Sequence, residues 1–163
     1  MKLIRRIALT ALVTFTTFGA VTFTSCNPDE CKDVVCANNG TCNSADGSCT
    51  CQTGYEGTTC QTLSRAKFVG VYVGNEQCTV GTDQYSITIT ENSDAIKLTM
   101  SNIYNQAFTA VGTMSGTNTF SFNNTQSGST FSGTGTLNGN QLTVSYQISD
   151  GITTNACTFT GTK

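Results

Sequence analysis

The sequence predicts a small cysteine-rich module followed by an all-β domain of about eight antiparallel strands, an up-and-down barrel or, alternatively, a compact β-sandwich. Three observations predict it. Six of the nine cysteines are crowded between Cys31 and Cys60. From about Leu63 onward, apolar residues alternate with Ser and Thr at period two, the signature of half-buried strands. No segment carries a convincing helical repeat of apolar residues.

The first residues read as a targeting segment. Lys2, Arg5 and Arg6 are followed by an uncharged stretch from Ile7 to Phe23, and charge returns only at Asp29 and Glu30. That stretch is near the lower length limit for a membrane span and rich in Thr, Gly and Ala, so a permanent anchor helix is not expected. It ends in Phe23-Thr24-Ser25-Cys26. Small residues before a cysteine resemble the lipobox of bacterial lipoproteins. The resemblance implies removal of residues 1–25, acylation of Cys26 and a short lipidated tether over residues 26–30. Acyl chains bury about 0.8 kcal/mol per methylene, so the membrane is the partner expected at this end.

Compartment and charge follow. Nine cysteines suit an oxidising, exported environment, and a lipidated Cys26 leaves an even number for disulfides. Loss of Lys2, Arg5 and Arg6 leaves five basic against ten acidic residues, a net charge of −5. This mild acidity includes no basic patch, so nucleic acid is not an expected partner. Charged residues make up only 11% of the chain, and hydroxyls and amides supply most of the polar surface.

Residues 31–60 form the cysteine-rich module. Their spacing is C-x4-C-x5-C-x6-C-x-C-x8-C, with Gly54, Tyr55 and Gly57 ahead of Cys60. Spacing alone leaves 15 connectivities open. The pattern closely resembles the EGF-like domain, and that resemblance implies the pairs Cys31–Cys42, Cys36–Cys49 and Cys51–Cys60. Thirty residues bury too little apolar surface to fold unaided, so cross-links worth about 3 kcal/mol each are the expected source of stability. Asn39-Gly40 and Asp46-Gly47 are the turn dipeptides, and Tyr55 is expected to pack on the last disulfide. The absence of His and the irregular cysteine gaps argue against zinc. Asn27, Asp29 and Glu30 precede Cys31 in the manner of calcium-binding EGF-like domains. Ser44 and Gly47, however, stand where that pattern needs an oxygen ligand and an aromatic ring, so no cofactor is expected.

After a linker over residues 61–67, residues 68–163 form the β domain. Tyr85, Ile87 and Ile89 alternate with Ser86, Thr88 and Thr90, and Ile96, Leu98 and Met100 with Lys97, Thr99 and Ser101; Leu142, Val144, Tyr146 and Ile148 alternate with Thr143, Ser145, Gln147 and Ser149. Turns are expected at Gly81–Asp83, Glu91–Asp94, Ser115–Asn118, Asn138–Asn140 and Asp150-Gly151. Cys78 and Cys157 lie near the two ends of this region. If they pair, the first and last strands are neighbours, and a closed meander is favoured over an open one. Phe108, Phe120, Phe122, Phe131 and Tyr146 are candidates to line the interior. Their expected role is to fill it, since small barrels are plugged by their own side chains.

No catalytic constellation emerges. There is no His, and Glu76, Asp83, Glu91, Asp94 and Asp150 are expected mostly in turns rather than as facing pairs on strands. An enzyme is not expected. Phe68-Val69-Gly70-Val71-Tyr72 faintly resembles the opening strand of lipocalin-like barrels. The whole layout resembles small Bacteroidetes lipoproteins that carry an EGF-like domain and a lipocalin-like (calycin-like) β domain. That resemblance implies an exported protein anchored at the bacterial outer membrane, with Asp29 and Glu30 acting as a surface-export signal. The expected function is a non-catalytic binding or adhesion module, in which the EGF-like unit is a stalk presenting the β domain to a protein or glycan. The alternative is a lipocalin-like carrier of a small apolar ligand. A monomer is expected.

Overall fold

The computed structural model describes residues 29–163. The targeting segment 1–25, the lipidation candidate Cys26 and the calcium candidate Asn27 lie outside the described residues. An EGF-like, disulfide-rich module is followed by a closed eight-stranded antiparallel barrel.

In the module, β1 (Thr41–Cys42) pairs with β2 (Cys49–Thr50) around a turn in which Asp46 accepts bonds from Ser48. Cys31–Cys42, Cys36–Cys49 and Cys51–Cys60 are bonded, with Cα separations of 5.9, 5.7 and 5.2 Å. Cys60 is the module's one fully buried apolar side chain, so cross-links rather than a core hold it. The other turn is centred on Asn38 and Asn39 (φ +50° and +57°), one residue before the dipeptide expected from sequence. Gly40 is small for a different reason: a Cβ there would lie 2.8 Å from Cys60 Sγ.

The module does not stop at Cys60. A third short strand, β3 (Tyr55–Glu56), pairs with β4 (Thr62–Leu63), and a 3-10 turn follows over Ser64–Phe68. The residues expected as linker are therefore folded. Ser64 N–H donates to Gly54 O at 2.9 Å, and Lys67 bonds Glu56 at 2.5 Å. Gly54 and Gly57 both need left-handed backbone (φ +92° and +94°), and Gly54 lies flat against Ile96 of the barrel.

The barrel strands are β5 (Gly70–Cys78), β6 (Gly81–Glu91), β7 (Lys97–Ile103), β8 (Phe108–Met114), β9 (Thr119–Gln126), β10 (Ser129–Asn138), β11 (Gln141–Ser149) and β12 (Thr154–Thr162). Each pairs with the next, and β12 pairs with β5 to close the sheet, which settles barrel over sandwich. At this seam Cys157 is the register partner of Cys78, and the two are bonded with a Cα separation of 4.0 Å. Period-two alternation sends Tyr85, Ile87 and Ile89 inward and their hydroxyl-bearing neighbours outward. The β5–β6 turn is Thr79–Val80. Gly81–Asp83, expected as a turn, instead begins β6, because the inward parity of Tyr85 extends to Asp83 at the rim. Ser127 and Gly128, both at positive φ, form a further tight turn beyond those expected from sequence.

The two barrel ends differ. At the basal end, where the chain enters from the EGF-like module, the 3-10 turn is a plug. Phe68 is fully buried edge-on to Phe120, with ring centroids 5.4 Å apart, and Tyr72 O–H donates to Phe68 O at 2.8 Å. Arg65 is buried and donates through Nη1 to the carbonyls of Asn92, Asp94 and Lys97, satisfying the β6–β7 loop. The C-terminal Lys163 reaches the same end, donating to Lys67 O and Val69 O. The opposite end, the mouth, is formed by Thr79–Val80, Tyr104–Ala107, Ser127–Gly128 and Asp150–Thr153.

Candidate functional site

Two places could receive a ligand, the mouth and the outer wall. The mouth is built around Glu76. On β5 the inward parity carries Tyr72, Gly74, Glu76 and Cys78, so the carboxylate enters the barrel and is only 3% exposed. Tyr85 O–H and Tyr146 O–H both donate to its Oε1, at 2.6 and 2.5 Å. Burying a carboxylate is costly without such donors, and charge-assisted bonds from two phenols offset the desolvation. Tyr104 N–H donates in turn to the Tyr85 oxygen at 3.1 Å, and Asn155 Nδ2 donates to the Tyr104 oxygen at 3.0 Å. The result is a polar chain across an otherwise apolar interior.

Glu76 also has a carboxylate opposite it. Asp83 is its register partner on β6, contrary to the expectation that the acids avoid facing positions. Asp83 sits exposed at the rim, accepting from Gln84 N–H and from Asn105 Nδ2 at 2.7 Å. The two line a chamber of about 270 Å³ together with Cys78, Val80, Tyr104 and Gln106. A second chamber of about 240 Å³ shares Tyr104 and Gln106 and is lined further by Phe108, Asp150 and Asn155. Glu76 also lies close to Cys78 and Cys157, but both sulfurs are spent in the disulfide, so this trio offers no thiolate to a metal.

The loop that places Tyr104 is strained. Asn102, Tyr104, Asn105 and Ala107 all have positive φ, which asparagine adopts readily but which costs about 1–2 kcal/mol each at Tyr104 and Ala107. Asn102 anchors it, donating to Ser86 O at 2.9 Å and accepting from Ala107 N–H at 3.2 Å.

The buried phenols give the barrel an alkaline limit. Burial, reinforced by the bonds to Glu76, raises the ionisation of Tyr85 and Tyr146 far above the ordinary phenol range. Burial alone raises Tyr72 to about 12. A phenol whose folded value exceeds its unfolded value of about 10 contributes stability that is complete below pH 10 and lost as pH rises through the folded value. The urea midpoint should therefore show no loss from these phenols up to about pH 10 and fall steadily above it, with phenolate absorbance from these tyrosines appearing only on unfolding. Full phenolate absorbance at pH 11 in a still folded protein would contradict this burial.

The outer wall offers the larger concavities, of about 940 and 700 Å³. Strand register aligns Thr113, Ser121, Thr134, Ser145, Thr158, Gln77 and Thr82 as one continuous row over seven strands. Ser145 and Thr158 hydroxyls lie 3.4 Å apart within it. Asn123, Ser132 and Gln147 border the larger hollow. Side chains on this face are short, and Gly133 lets the β11 backbone approach so closely that a Cβ would lie 2.2 Å from Ser145 O.

The interior candidates all face inward. Phe120, Phe122, Phe131 and Tyr146 are buried and Phe108 packs half-buried against them. They fill the space through ring contacts, with Phe108 stacked on Phe131 at 5.6 Å and Phe122 6.3 Å from Tyr146. Of the calcium candidates, Asp29 and Glu30 are exposed, and Asp29 Oδ1 accepts the Cys31 N–H as a turn residue. Sequence reasoning missed Glu76 and Asn155 as interior polar groups. The available signal was their inward parity, two residues from the disulfide on each side.

The family model for a Teneurin-like EGF domain matches residues 31–62, which reach into β4 and leave the barrel uncovered. No curated protein and no solved structure matches the chain.

Proposed function

We propose that the protein is an exported, lipid-anchored envelope protein whose barrel binds a glycan on its outer wall, with the EGF-like module as a stiff stalk. One observation carries the reading. The barrel interior is filled by its own side chains, whereas the roomy hollow is outside, where Thr113, Ser121, Asn123, Ser132, Thr134, Ser145, Gln147 and Thr158 present hydroxyls and amides beside apolar surface such as Val111 and Ala156. Those groups both donate and accept, which matches the hydroxyl surface of a sugar chain better than an apolar partner. The folded junction at Gly54, Glu56, Ser64 and Lys67 supports the stalk, because a module docked this way holds the barrel at a fixed attitude.

The role is binding rather than catalysis. Glu76 is engaged by two phenols, and the long hydroxyl row contains no base to activate a nucleophile. A lipocalin-like carrier is the weaker reading: the chambers inside the mouth fall below the ~300 Å³ lower end for drug-sized ligands.

Two measurements test the proposal. On a polysaccharide panel, Ser121→Arg with Thr158→Arg, two exposed positions of the same hollow that do not face each other, should lower affinity at least tenfold while the melting temperature stays unchanged. Failure of the wild-type protein to bind any glycan, or indifference to the double variant, would sink the outer-wall site. Separately, Cys26→Ala should move the protein from the membrane fraction to the soluble fraction, and retention in the membrane would refute the anchor.

A further inference from the structure

We propose that Asn138 is a self-modification site, at which the side-chain amide is lost as ammonia through attack by the backbone nitrogen of Gly139. The product is aspartate or isoaspartate at the end of β10. The site is independent of the glycan reading. Asparagine followed by glycine occurs twice in the chain, at Asn39-Gly40 and Asn138-Gly139. Glycine has no Cβ to shield its own nitrogen and lets the backbone turn freely, so these two places are sterically open to the attack. The fold treats them differently.

Asn39-Gly40 is locked. Gly40 N–H donates to Ala37 O at 2.9 Å, so the nucleophile is already engaged. The dipeptide lies between Cys36 and Cys42, which are tied to Cys49 and Cys31. Gly40 also packs so closely that a Cβ would lie 2.8 Å from Cys60 Sγ, which leaves the backbone no room to rotate. Asn138-Gly139 is open. Both residues are exposed, and among the described residues the Gly139 N–H has no acceptor and the Asn138 side chain no partner. A Cβ on Gly139 would meet nothing within 4 Å. Asn138 forms the last pair of the β10–β11 ladder, with Gln141, so a single terminal pair has to open before its backbone can rotate. Such ends open at a small fraction of the cost of global unfolding.

The chemistry needs only water. The Gly139 nitrogen gives up its proton and bonds to Asn138 Cγ, closing a five-membered imide ring. The Cγ–Nδ2 bond breaks, and ammonia leaves with that proton. Water then adds to one ring carbonyl and returns a proton to the Gly139 nitrogen as their bond breaks. Opening at Cγ gives aspartate. Opening at the backbone carbonyl gives isoaspartate, whose main chain is one methylene longer and no longer matches Gln141 in register. Either product places a carboxylate in the stretch from Leu98 to Ser149, which has no charged residue.

The test is incubation of the purified, folded protein in warm, mildly alkaline buffer, with peptide mapping by mass spectrometry and chromatographic separation of isoaspartate. A reduced, urea-unfolded sample is followed in parallel. In the folded protein Asn138 should react at least tenfold faster than Asn39, whereas in the unfolded chain the two should react at similar rates. Asn138→Gln, which would need a six-membered ring, and Gly139→Ala, which shields the nitrogen, should each slow the reaction at this position at least tenfold. Equal rates at Asn39 and Asn138 in the folded protein would overturn the site. So would an Asn138 that stays intact when folded while reacting in the unfolded chain, or a rate unchanged in both variants.

Discussion

Replacing Cys78 and Cys157 together by alanine is expected to lower barrel stability by about 4 kcal/mol. The bridge joins residues 79 apart, and closing so long a loop in the unfolded chain accounts for that figure in the chain-entropy model. Position strengthens the expectation. The bridge lies at the mouth end of the only ladder that joins the first barrel strand to the last. For a domain of this size the loss corresponds to a fall in melting temperature of about 20 °C. Thermal unfolding followed by far-UV circular dichroism is the measurement. A fall of less than 3 °C would mean that the backbone ladder alone holds the seam.

A single methyl group on the same seam should have a comparable effect. Gly74 and Gly161 are register partners, and a Cβ on Gly74 would lie 2.1 Å from Thr160 O and 2.4 Å from the Gly161 Cα. These are backbone atoms of a paired strand, so they cannot swing aside, and relief requires β5 and β12 to separate. Overpacking typically costs 1–3 kcal/mol, and an immovable neighbour puts Gly74→Ala at about 3 kcal/mol or above. Gly139→Ala is the comparator: the new methyl meets nothing within 4 Å, leaving only left-handed strain of about 1 kcal/mol. Denaturant melts of both variants decide the matter, and equal losses would contradict the close approach at the seam.

Legibility in the sequence varied by element for physical reasons. β6 and β11 alternate cleanly because each has one apolar and one hydroxyl face. β5 misleads. Val71 and Val73, its most apolar residues, point to solvent with 52% and 59% exposure, while Tyr72, Gly74 and Glu76 point inward. A reader following hydrophobicity on that strand would place Glu76 outside, and the mouth would disappear with it. Pairing of Cys78 with Cys157 supports closure from sequence, since ends that share a bond must be neighbours. The 3-10 plug left no trace because five residues cannot display a helical repeat. The row of hydroxyls on the outer wall depends on register between seven strands, which no single strand encodes.

The route of the chain through β5 also has a mechanical consequence. In the proposed stalk arrangement, force transmitted from the EGF-like module would enter at Gly70, run along β5 toward the mouth and act parallel to the strand. Ladder bonds to β6 and β12 lie across that direction, so they would share the load in shear rather than open one after another. Sliding would be arrested at Cys78, where the strand is covalently tied to its neighbour. The strand that would take the load first is thus one of the two that the disulfide locks together.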